Sequence, residues 1–195
     1  MVREEKRLVV GQGTQEGLSP SELKGLIRTV PDFPSAGIQF RDITTLIAHG
    51  EGLAATFDHL VDQARPLGAA AVAGIEARGF IFGAAIAARL GLGFVPLRKP
   101  GKLPVPTIGV DYSLEYGSAR LELDSGAIDP GELVLLVDDL LATGGTALAG
   151  VELLRRAGAR VDNALFVIDL PDLGGGQALR AAGVMTGALM DFPGH

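Results

Sequence analysis

The residues best suited to chemistry lie between 134 and 146, in the run VLLVDDLLATGGT. An apolar strand delivers two adjacent carboxylates, Asp138 and Asp139, to its C-terminal end, where open α/β sheets bind ligands. A short loop with Ala142, Thr143, Gly144, Gly145 and Thr146 then opens a helix. Its backbone N–H groups can converge on an anion, and the threonine hydroxyls can add hydrogen bonds to the same oxygens. Carboxylates beside a phosphate would repel it, so Asp138 and Asp139 should face hydrogen-bond donors such as a sugar diol. A phosphate in the loop and a diol on the acids together describe a ribose 5-phosphate. The plainer alternative is a βα turn with an Asp cap. A P-loop is excluded because Thr146, not Lys, follows Gly145. Gly11 and Gly13 lack the third glycine of a dinucleotide fingerprint.

Two further segments could serve a polyanion. Glu76-Ala77-Arg78-Gly79 sits between a strand and a helix and forms a second cradle, with Arg78 available for charge-assisted bonds. Arg98, Lys99 and Lys102 place three cations within five residues, restrained by neighbouring prolines. A solvent-exposed turn and a solvated basic loop are the plain readings of these two. The stretch from Pro104 to Gly117 lacks strong burial periodicity and holds two glycines, so it is expected to move. It carries Glu115, which is otherwise a solvated loop acid. Upstream, Gln39-Phe40-Arg41-Asp42 reads either as part of a binding surface or as a core Phe40 beside an Arg41–Asp42 pair. His49 and His59 read as surface polar residues.

The elements that must position these groups alternate. Ser19-Pro20-Ser21-Glu22 is a capping box with proline at the first helical position, and predicts a helix to about Thr29. Residues 33–46 read as loop with short extended pieces, and 51–65 as a helix. Then come strand 70–75, helix 80–90, strand 94–97, a hairpin excursion over 107–124, and a buried strand 133–137. Helix 145–157, strand 161–168, helix 177–182 and strand 184–189 complete the chain. This alternation predicts an α/β domain over 19–195, a mainly parallel sheet flanked by helices, after a loose extension 1–18.

Composition removes other classes. With no Cys there is no disulfide framework, thiolate metal site or Cys nucleophile. A net charge of −6 argues against long nucleic acids and anionic membranes as partners. The first ten residues lack the apolar core of a signal peptide, and the longest uncharged apolar run is about half a membrane span. A soluble, cytoplasmic protein is expected. The charge is nonetheless divided: residues 76–102 hold five Lys or Arg against one acid, and residues 111–139 one Arg against eight acids.

The run 134–146 resembles the phosphoribosyl pyrophosphate (PRPP) motif of the type I phosphoribosyltransferases. Taken with EARGF from Glu76, RKPGKLP from Arg98 and LEYG from Leu114, the resemblance narrows to the adenine-specific members and covers about 19–195. It implies their fold, with an N-terminal hood and a flexible β-hairpin loop, and Mg²⁺-dependent conversion of adenine and PRPP to AMP and pyrophosphate. It implies PRPP and AMP binding by Asp138, Asp139, Ala142, Thr143, Gly144, Gly145, Thr146, Arg78, Arg98, Lys99 and Lys102. Arg78, Lys102 and Glu115 would be catalytic, with Glu115 near N7 of the purine. Gln39, Phe40 and Arg41 would line the adenine site. Mg²⁺ would be held mainly through PRPP, the loop at 76–79 often has a cis peptide, and a homodimer is implied. Alternatives are transfer to guanine, hypoxanthine, xanthine or orotate, and a non-catalytic PRPP-binding regulator.

Overall fold

The computed structural model describes residues 17–113 and 117–194. The expected capping box is present: Ser19 N–H donates to Glu22 Oε2 at 2.8 Å, and Ser19 Oγ accepts from the Glu22 N–H. Helix α1 (Pro20–Gly25) ends well before Thr29. Tertiary pairing takes over there, because strand β1 (Arg28–Pro31) joins β2 (Gln39–Asp42) in an antiparallel ribbon. A short helix α2 (Thr44–Ile47) and the 15-residue α3 (Gly50–Ala64) follow. His49 is exposed as expected but also caps α3, its Nδ1 accepting the Gly52 N–H at 3.0 Å. His59 is half-buried and bonded to the Leu18 carbonyl at 2.8 Å. Leu18 packs on the core, so the folded unit takes in the end of the expected extension.

Five parallel strands form the central sheet in the order β4 (Gly93–Leu97), β3 (Ala71–Ile75), β7 (Val134–Leu141), β8 (Asn163–Asp169), β9 (Met185–Asp191). Strand β7 is longer than its apolar run. Pairing with β8 continues through Asp138, Leu140 and Leu141, so both aspartates lie within the strand rather than past its end. Successive side chains of a strand face opposite sides, and β7 is apolar on both. Val134 and Leu136 pack toward α5 (Gly145–Arg156) and the hairpin β5 (Thr107–Ser113)–β6 (Ser118–Asp124). Leu135 and Val137 pack toward α3 and α4 (Gly79–Leu90), where Phe82 and Ile86 are fully buried. Helices therefore cover both faces as expected, and the hairpin shares one of them. Helix α6 (Gly175–Ala181) precedes β9.

The hairpin expected over 107–124 is present, and Thr107–Ser113, within the stretch expected to move, is its first strand. Val110 is 3 % exposed, and Ile108 and Tyr112 pack beside it on the same core. Residues 114–116, including Glu115, lie outside the described residues. Among the described residues no helix is long and apolar enough to cross a membrane.

Candidate active site at the C-terminal edge of the sheet

Strands β3 and β7 are neighbours, and their C-terminal ends open into a cavity of about 760 Å³. From β3 the chain turns through Glu76, Ala77 and Arg78 before α4 begins, and the Glu76–Ala77 peptide is cis. Gly79 is required here because a Cβ would lie 2.8 Å from Asp138 Oδ1 and 2.9 Å from the Val137 carbonyl. The start of α4 thus abuts the end of β7. From β7 the chain turns through Ala142, Thr143 and Gly144 into α5, which among the described residues has no side-chain cap. Its first residues, Gly145, Thr146 and Ala147, line the cavity with amides lacking intrahelical partners. That end attracts anions.

A close backbone contact supports this turn. Gly175 N–H donates to the Ala142 carbonyl at 3.0 Å, and a Cβ on Gly175 would fall 2.3 Å from that oxygen. Gly144 has φ of +87° and meets Gly175 in turn, with 3.1 Å between an added Cβ and Gly175 Cα. Gly175 was not among the expected site residues; its signal is the run of three glycines at 174–176.

The two aspartates differ. Asp139 is 5 % exposed, and its Oδ2 forms an ion pair with Arg78 Nε at 2.6 Å. Asp138 keeps surface toward the cavity while protein encloses it, and its one described hydrogen bond is from the Asp139 N–H at 2.9 Å. Burial, followed by the charge of Asp139, holds its carboxyl well above the usual carboxylate range, against the opposing pull of Arg78. Glu76 bonds away from these acids. Its carboxylate accepts the Lys99 N–H at 2.8 Å and Arg98 Nε at 3.1 Å, which lower its pKa.

Arg78, Lys99, Asp138, Asp139 and the whole 142–146 segment therefore line one cavity. Tyr112 lines it too and was missed, although it alternates with Ile108 and Val110 along β5. Arg98 and Lys102 are outside its wall. Arg98 is engaged by Glu76, by the Phe80 ring at 5.7 Å, and by backbone bonds to Glu122; Lys102 is exposed. Gln39, Phe40 and Arg41 belong to the β1–β2 ribbon, outside the cavity wall. Phe40 meets Phe33 edge to face at 5.1 Å. Arg41 is not paired with Asp42. Its Nη1 donates to Thr29 Oγ1 at 2.6 Å, and Asp42 accepts from Arg28 and Thr44 instead. The Thr44 and Arg28 bonds lower the Asp42 pKa to about 2.

Among the described residues no three His, Asp or Glu side chains gather to form a protein cage. Of the three acids that line the cavity, Glu76 is engaged by Arg98 and the Lys99 N–H and Asp139 by Arg78, which leaves Asp138. This suits Mg²⁺, which takes one or two carboxylates and draws its other ligands from water and phosphate oxygens.

Comparison with known proteins agrees with this geometry. The family model described as phosphoribosyl transferase domain matches residues 40–172, more than half of the chain. An adenine phosphoribosyltransferase of Novosphingobium aromaticivorans is 70 % identical over 91 % of the chain and all of its own length. The crystal structure of adenine phosphoribosyltransferase from Rhodothermus marinus shares 44 % identity with a TM-score of 0.81, covering 89 % of this chain and 98 % of that one. The Saccharomyces cerevisiae enzyme, crystallised with adenine and an imino-altritol bisphosphate, is 36 % identical with a TM-score of 0.80, covering 87 % of this chain and 97 % of that one.

Proposed function

The chain belongs to the adenine phosphoribosyltransferases of the phosphoribosyltransferase family, and from that premise we propose how its residues carry the reaction. It transfers the 5-phosphoribosyl group of PRPP to adenine, giving AMP and pyrophosphate. The observation that carries the residue assignment is the meeting, in one cavity, of the uncapped start of α5 with Asp138 and Asp139.

In this reading the 142–146 turn and the α5 amides hold the 5-phosphate, and the two aspartates accept the ribose hydroxyls. Arg78 and Lys99 face the pyrophosphate. Lys102 serves the same group from outside the cavity wall, and Arg98 supports the cradle through Glu76. The C1–O bond to pyrophosphate breaks as the C1–N9 bond forms, through a transition state with charge on the ribosyl ring and on the leaving group. Preorganised cations and a held ribose stabilise that separation. Mg²⁺, carried with PRPP and held by at most one or two of the aspartates, supplies charge neutralisation on the pyrophosphate.

The N9 lone pair is free to attack only when the imidazole proton of adenine is on N7. Once N9 is alkylated that proton must leave, which is the role of Glu115. The hood residues Gln39, Phe40 and Arg41 face the base. The same family reading implies a homodimer acting in the cytoplasm, with residues 19–195 as its catalytic domain.

The test is incubation with Mg-PRPP and each candidate base, measuring nucleotide and pyrophosphate. We expect AMP from adenine. Turnover of another base instead would overturn the substrate, and PRPP binding without any turnover would make the protein a regulator.

A further inference from the structure

Phe192 follows β9 and joins the hood to the sheet. Its N–H donates to the Asp169 carbonyl at 2.9 Å, and the Gly194 N–H donates to Asp172 Oδ2 at 2.7 Å, so the chain is tied on both sides of the ring. The ring is 8 % exposed and belongs to the same apolar cluster as Leu23, Ile27 and Ile43 of the hood region. Two hood cations lie over it: Lys24 Nζ of α1 at 4.7 Å and the Arg41 guanidinium of β2 at 4.8 Å.

Arg41 depends on that ring. Its Nη1 is fixed by Thr29, but its Nε is buried with no hydrogen-bond partner among the described residues. One hydrogen bond fixes a point, not the plane of a guanidinium; the aromatic face supplies the second constraint. The ring is also close to the cavity along the sheet. Leu141 of the cavity wall is the register partner of Asp169, and Asp169 of Asp191, next to Phe192. Two strand spacings, about 10 Å, separate the wall from the residue before the ring.

We propose that Phe192 is a positioning residue for the adenine half of the site: its ring sets the plane of Arg41 and thereby the base-facing edge of the hood. This rests on the reading that the hood carries adenine. Among the described residues the PRPP half, built on β3, β7 and α5, has no contact of this kind with the ring.

The experiment is steady-state kinetics on Phe192→Leu, Phe192→Met, Phe192→Tyr, Lys24→Met and Arg41→Ala, well below each melting temperature. Removing the aromatic face in the Leu or Met variant should raise KM for adenine about tenfold while KM for PRPP and kcat change less than about twofold. Two non-aromatic variants keep the test available if one fails to fold. Phe192→Tyr keeps the ring and should remain near the parent. Lys24→Met removes the other cation and should leave adenine KM unchanged. An unchanged adenine KM in Leu and Met, a parallel rise in both KM values, or an equal rise in Lys24→Met would overturn the proposal. Arg41→Ala separates the two levels. If it leaves adenine KM unchanged, the hood reading fails and the proposal with it; if it raises KM while Phe192→Leu does not, only the proposal fails.

Discussion

Asp42 in the hood and Asp138 at the cavity are both strand carboxylates, and they live in opposite conditions. In the hood, Asp42 of β2 accepts the Thr44 N–H at 3.0 Å, the Thr44 hydroxyl at 2.5 Å and Arg28 Nε at 3.1 Å. Its charge is answered, and its pKa falls to about 2. At the cavity, Asp138 of β7 receives one N–H from its own neighbour and otherwise faces burial and a second acid. Its carboxyl is pushed up. The hood uses its acid to hold itself together, whereas the cavity keeps its acid short of donors. A carboxylate short of donors is well placed for a ligand that brings them, as a ribose diol does.

The contrast can be broken most directly at the cavity. Asp138→Asn and Asp139→Asn each replace an acceptor-only group by one that also presents an NH₂ to the ribose hydroxyls. Hydrogen bonds to charged groups contribute about 1.5–3 kcal/mol, so we predict kcat/KM for PRPP to fall about 10- to 100-fold in each variant. Kinetics with PRPP varied would check it, and unchanged values would remove the diol assignment. Asp42→Asn should leave those kinetics near the parent, since Asp42 is outside the cavity wall.

A second break tests the scaffold under the phosphate turn. Gly175→Ala sets a Cβ 2.3 Å from a backbone oxygen of Ala142, and neither atom is the flexible end of a side chain. The backbones must separate, at a cost of about 1–3 kcal/mol. Urea denaturation should show that loss, together with a raised KM for PRPP. A variant with parent stability and parent KM would show that the contact does not position the turn.

These comparisons also show what the sequence could reveal. The apolar run before Asp138 exposed β7, and the capping box exposed the start of α1, because both signals are local. The true end of β7 was hidden, since it depends on pairing with β8, whose register partners lie 28 residues away. Arg98 read as a free cation because its partner, Glu76, is 22 residues distant in sequence. The Arg41–Asp42 pairing could have been rejected earlier. Neighbours on a strand point to opposite faces, and the register partner of Asp42 is Arg28. Tyr112 was legible in principle from the alternation of Ile108, Val110 and Tyr112, but that pattern ends after three turns of the pleat. Gly175 needed the fold: three consecutive glycines suggest a close approach without saying to what.

The smaller predictions concern stability and sharpen the same contrast through pH. Asp42 has a folded pKa below its unfolded value of about 3.9, so its contribution is present above that value and lost as pH falls toward 2. Asp42→Asn should therefore cost about 1 kcal/mol at neutral pH, discounted for the exposure of Arg28, and the cost should shrink in acid. Asp138 has the opposite sign. Its folded pKa is raised, so the folded state binds its proton more tightly, and this stabilisation is lost as pH rises through the raised value. Asp138→Asn removes that loss. Its melting temperature should match the parent in acid and exceed it by a margin that grows as pH rises. Melting curves from acid to pH 8 would decide the matter: a variant less stable than the parent at pH 8 would mean that Asp138 is already well satisfied, and the difference between hood and cavity would disappear.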